Sequence, residues 1–119
     1  MVKLFRDLKV GDNVYWVYYR NGYLVNVLVE KYRILGVTHK KDGDLEFKLT
    51  HDWYLVARPY DSNKIRTDGS FFVTSEDGIE WAVNQIKKKK MEEYQKQIAS
   101  ITEEMCEVMK SPYQLYDKT

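Results

Sequence analysis

Thr74-Ser75-Glu76-Asp77-Gly78-Ile79-Glu80-Trp81-Ala82-Val83 is the stretch where the chain changes its period. Upstream, apolar residues come in short β-branched and aromatic blocks separated by Gly, Asn and Asp, the pattern of strands and turns. Downstream, no proline intervenes before Pro112, and apolar residues recur at helical spacing. Thr74 followed three residues later by Asp77 reads as a capping box, so the sequence predicts one helix over 74–110. At 1.5 Å per residue such a helix is roughly 50 Å long, about twice the width of the body that precedes it. Part of it therefore packs on something other than that body.

The preceding chain reads as strands. Gly11-Asp12 feeds a strand from Val14 to Tyr19, and Asn21-Gly22 supplies the residues of a two-residue hairpin, pairing Tyr19 with Leu24 and Tyr18 with Val25. The run from Tyr23 to Val37 exceeds an ordinary strand and is expected to bend or bulge around a curved sheet. A second hairpin falls at Lys41-Asp42-Gly43-Asp44, after which Leu45, Phe47 and Leu49 alternate with polar residues in a half-buried pattern. Trp53 to Arg58 forms a further strand ended by Pro59, and Tyr60 to Lys64 a polar connection. A third hairpin turns at Asp68-Gly69 and delivers Phe71-Phe72-Val73 to the helix. Five or six antiparallel strands followed by a helix make an α+β protein: a small SH3-like or OB-like β-barrel over 1–73, with an open α+β roll as the alternative.

The helix divides in two. Ile79, Ala82, Val83 and Ile86 share one face and seal residues 74–86 onto the barrel. Lys87-Lys88-Lys89-Lys90 then sweep the circumference, so no apolar stripe crosses that turn. Beyond it Met91, Tyr94, Ile98, Ile101, Met105 and Val108 follow alternating three- and four-residue steps over 91–108, a short coiled-coil-like seam. That seam meets either a partner chain or, if the helix breaks near the lysines, its own body. Trp81 lies about 160° from the barrel-facing stripe and is expected to stand exposed unless something covers it, which makes it the best single interface candidate. In the tail, 111–119, Tyr113, Leu115 and Tyr116 are positioned to dock on the body or a partner.

With 19 basic and 18 acidic residues among 119, the formal charge of +1 gives no global argument for nucleic acid. Lys40, Lys41 and Lys87 to Lys90 are the local candidates for a phosphate or acidic surface, against the ordinary reading of solvated turns. Ten tyrosines and three tryptophans exceed what so small a core encloses, so some stand exposed. Both faces of the first strand are apolar, Val14, Trp16 and Tyr18 against Tyr15, Val17 and Tyr19. One set is covered by another element or offers stacking surface. His39, His51 and Cys106 lack the spacing of a metal site or an activated nucleophile. No enzyme activity, cofactor or metal is expected. The single cysteine and the absence of an apolar leader or a 20-residue apolar run point to a cytoplasmic protein.

Val10-Gly11-Asp12-Asn13-Val14-Tyr15 together with Phe71-Phe72-Val73-Thr74-Ser75-Glu76-Asp77-Gly78-Ile79-Glu80-Trp81-Ala82-Val83 resembles small proteins of phages and mobile elements in gut bacteria, mostly of unknown function. Those proteins carry a GDxVY start and a VFxTxEEA strand-to-helix junction, and usually have alanine where this chain has Gly78. The resemblance implies a phage or mobile-element origin and hence the host cytoplasm. The expected function is a non-enzymatic protein-binding module whose long helix captures a second copy or a host target, as an anti-CRISPR inhibitor of host defence would. The alternative is a small-barrel nucleic-acid binder using the lysine clusters and exposed aromatics.

Overall fold

The computed structural model describes residues 3–20 and 27–110, with the side chains of 109 and 110 excepted. Six strands precede one helix: β1 (Asn13–Tyr19), β2 (Val27–His39), β3 (Leu45–Leu49), β4 (Tyr54–Ala57), β5 (Lys64–Thr67), β6 (Ser70–Val73) and α1 (Glu76–Lys110). The strands form one antiparallel sheet in the order β4-β3-β2-β1-β6-β5, curled into a nearly closed barrel of the kind expected. Its two end strands, β4 and β5, are not hydrogen-bonded to each other.

Curling depends on β2. At 13 residues it pairs with β1 through its first half and with β3 through its second, and the register slips between Ile34 and Gly36. This is the anticipated bulge, and it turns the strand from one side of the barrel to the other. The β2–β3 turn is held by Lys40 N–H to Asp44 O and Gly43 N–H to Lys40 O, at 2.9 and 3.1 Å, with Gly43 at φ +88°. The β5–β6 turn places Gly69 at φ +82°, where a side chain would be strained.

The predicted register of the first hairpin is wrong. Tyr19 pairs with Val27 and Tyr18 with Leu28, not with Leu24 and Val25. A shift of three residues exchanges the two faces of the partner strand. The observed register sets Tyr32 opposite Val14 and, with Ile34, inside the barrel, where both are buried; the turn-based one points them outward. Burial of that pair outweighs the Asn-Gly signal. The turn itself, with Leu24 and Val25, lies outside the described residues, as do Tyr113, Leu115 and Tyr116.

Two apolar clusters follow from the two faces of β1. Val14 and Trp16 point inward with Phe5, Ile34, Phe47, Leu49, Leu55 and Ile65. Val17, Tyr15 and Tyr19 point outward, where Ile79, Ala82, Val83 and Ile86 of α1 cover them together with Val73 and Phe71. The helix is thus the cover that the doubly apolar strand required.

Helix initiation differs from expectation. The capping hydroxyl is Ser75, whose Oγ accepts from Gly78 N–H at 3.4 Å, and Ile79 N–H reaches Ser75 O at 3.3 Å. Thr74 instead donates its hydroxyl to Lys3 O and its amide to Asn63 O, tying the N-terminal segment and the β4–β5 connection to the end of β6. Helix α1 then spans 35 residues, Glu76–Lys110, with the four lysines inside it. The chain nonetheless divides into two compact units, Met1–Lys87 and Lys88–Thr119. Among the described residues no helix is long and apolar enough to cross a membrane.

Candidate functional site

Alternation along β1 sends Trp16 to the inner face, and its surroundings fix the indole. Trp16 Nε1 donates to Ser70 Oγ at 2.9 Å, and Ser70 Oγ lies 2.6 Å from Thr67 Oγ1 at the β5–β6 turn. The Trp16 ring stacks on Tyr18 at 4.1 Å and lies nearly parallel to Phe72 of β6 at 6.0 Å. These contacts make a row of three rings.

Opposite the row, the β3–β4 turn presents two more. His51 and Asp52 both have positive φ, 64° and 59°, and Leu49 N–H closes the turn on Trp53 O at 2.8 Å. Consecutive left-handed non-glycine residues are uncommon, and strained backbone of this kind gathers at functional sites. It launches Trp53 and Tyr54 outward, 56% and 58% exposed. Tyr32 meets the His51 ring edge-on at 6.4 Å.

Between these walls lies a cavity of about 210 Å3, lined by one residue from each strand, Trp16, Tyr32, Leu49, Tyr54, Thr67 and Phe72, and by Trp53. Five of the seven described residues that line it are aromatic. It occupies the barrel end at which the β3–β4 and β5–β6 turns lie. Glu30 sits beside it, opposite Trp16 on β2, and accepts hydrogen bonds from Tyr18 Oη at 3.0 Å and from Tyr32 Oη. Burial, and then the Glu30 carboxylate, pushes the Tyr32 hydroxyl up to about 12 and raises that of Tyr18. Lys31 and Arg33 flank Tyr32 in sequence but face the other way, where with Asn13, Thr50 and His51 they line a wider polar cleft of about 460 Å3.

Sequence reasoning did not find this cavity. Its one signal was the dipeptide Trp53-Tyr54 after a turn, since adjacent strand residues cannot both point inward.

The residues singled out beforehand fall in three places. Trp81 is not exposed: it is half-buried, edge-on to Phe71 at 5.1 Å with the Lys64 ammonium 3.9 Å above its ring. The sheet curves up beside α1, so β5 and β6 reach a helix face that a flat support would leave open. Met91, Tyr94, Ile98, Ile101, Met105 and Val108 are all exposed, between 42% and 74%, along the distal half of α1. The lysines are dispersed in role. Lys40 pairs with Glu46 at 2.8 Å and Lys90 with Glu93 at 3.2 Å, whereas Lys41, Lys87, Lys88 and Lys89 are exposed. Cys106 is exposed, and among the described residues no three His, Cys, Asp or Glu side chains gather as a metal site would.

Comparison with protein-family models, curated proteins and solved structures finds no match to this chain.

Proposed function

We propose that this chain is a non-enzymatic protein-binding module acting through the distal half of α1. One observation carries the reading: Met91, Tyr94, Ile98, Ile101, Met105 and Val108 stay exposed on an unbroken helix, at the alternating three- and four-residue steps of a seam. An apolar stripe in that register is what a second helix packs against. The occupant of first choice is a second copy of the chain, which supplies the same stripe. The wider proposal is a phage or mobile-element origin, with capture of a host defence component in the manner of an anti-CRISPR protein. It is supported by the likeness at residues 10–15 and 71–83.

Light scattering across a dilution series tests the first choice. A concentration-dependent dimer that Ile98→Asp with Ile101→Asp converts to monomer supports it, and a monomer at all concentrations overturns self-association. A second reading, nucleic-acid binding, is favoured by the exposed lysines Lys87 to Lys89 and by the Lys31 and Arg33 cleft. Titration with single- and double-stranded DNA at two salt concentrations separates the two, because phosphate contacts weaken steeply with salt.

A further inference from the structure

We infer that the aromatic cavity at the end of the barrel binds an alkylated ammonium group, with the ring faces and the Glu30 carboxylate providing the attraction. This does not rest on the distal helix.

The size sets the scale of the ligand. About 210 Å3 is below the roughly 300 Å3 at which pockets begin to enclose drug-sized molecules, so the cavity takes a head group or the tip of a side chain. The chemistry of the walls sets its sign. Five aromatic side chains line one small space, and a quaternary or methylated ammonium is the head group that aromatic cages hold.

Glu30 adds a formal charge. Its carboxylate is half-buried and held by two tyrosine hydroxyls, and no Lys, Arg or His lies within salt-bridge distance of it among the described residues. One of its donors, Tyr32, is itself a wall of the cavity. A half-buried carboxylate with no ion-pair partner among the described residues favours a cation nearby. Lys31 and Arg33, on either side of Tyr32 in β2, line a different cleft, while the Arg20 charge is felt at Tyr18. Among the described residues no cationic side chain lines the cavity, which disfavours a phosphate-bearing ligand there.

The three indole N–H signals provide the test, because Trp16 and Trp53 line the cavity and Trp81 does not. The full chain is titrated with choline, with a peptide carrying trimethyl-lysine, and with 3,3-dimethylbutanol, the uncharged isostere of choline. Trp16 and Trp53 are expected to shift and Trp81 to stay, with the isostere binding about tenfold more weakly than choline. Choline alone points to a free small molecule, and the peptide binding more tightly points to a modified lysine side chain. Trp53→Ala, at an exposed position that spares the core, is expected to weaken binding about tenfold. Glu30→Gln retains an acceptor for the tyrosines and should weaken it severalfold while leaving the indole pattern of the free protein intact. Equal binding of charged and neutral probes overturns the inference. So does the absence of shifts with either ammonium at millimolar concentration, or a shift of Trp16 and Trp53 by an oligonucleotide alone.

Discussion

Gly78 shows how one atom of space is decided by packing rather than propensity. In a helix interior alanine is favoured over glycine by about 1 kcal/mol, so Gly78→Ala looks stabilising from sequence. In the structure a Cβ at Gly78 would sit 2.8 Å from Val73 Cβ, and Val73 is fully buried at the end of β6. That neighbour is the root of a strand side chain and has no room to swing away. Gly78→Ala is therefore expected to destabilise by about 1–3 kcal/mol in chemical denaturation, the range for overpacking. Tyr32 gives a second residue-scale expectation. Its folded value of about 12 exceeds the ordinary 10.0, so the unfolded chain loses the proton first. Its contribution to stability is complete below pH 10 and is lost as pH rises from there toward 12. An ultraviolet titration should show Tyr32, with Tyr18, among the last tyrosines to ionise, and Glu30→Gln should lower both without restoring the ordinary value, because burial is the larger cause.

Among the elements, those with strong local chemistry were legible. Asp68-Gly69, Lys41-Asp42-Gly43-Asp44 and the alternation of Leu45, Phe47 and Leu49 read directly as hairpins and a half-buried strand, and the excess length of β2 announced its bulge. What failed were choices between adjacent options settled by distant contacts. Thr74 and Ser75 are both competent caps, and the choice falls to Ser75 because Thr74 is engaged by Lys3, 71 residues away. The register of β1 on β2 follows the burial of Tyr32 and Ile34 and not the turn. The cavity draws one residue from every strand, so no window of sequence contains it; alternation tells inward from outward but not which end of a barrel a ring occupies. The β3–β4 turn is the element on which the cavity most depends. Asp52 at φ 59° tolerates the left-handed region as aspartate does, and a β-branched residue does not. Asp52→Val is expected to lower stability by about 1–2 kcal/mol in a thermal or denaturant melt and to disturb the Trp53 indole signal, whereas Asp52→Gly should leave that signal in place.

For the whole molecule, the division between Lys87 and Lys88 makes the two units separable by mutation. The pair Ile98→Asp and Ile101→Asp lies in the second unit, and neither position belongs to an apolar cluster of the first. Its expected signature is loss of association in light scattering with the near-ultraviolet dichroism of the barrel aromatics unchanged; collapse of that signal would assign the seam an intramolecular role. The form of any assembly is also constrained by the sheet. Its unpaired end strands, β4 and β5, are four residues each, with Pro59 two residues past the first and Lys64 and Arg66 on the second. Short, charged and proline-flanked borders resist strand addition. Growth by sheet extension is thereby disfavoured. When the protein is concentrated, a dye that reports cross-β polymer should therefore stay dark.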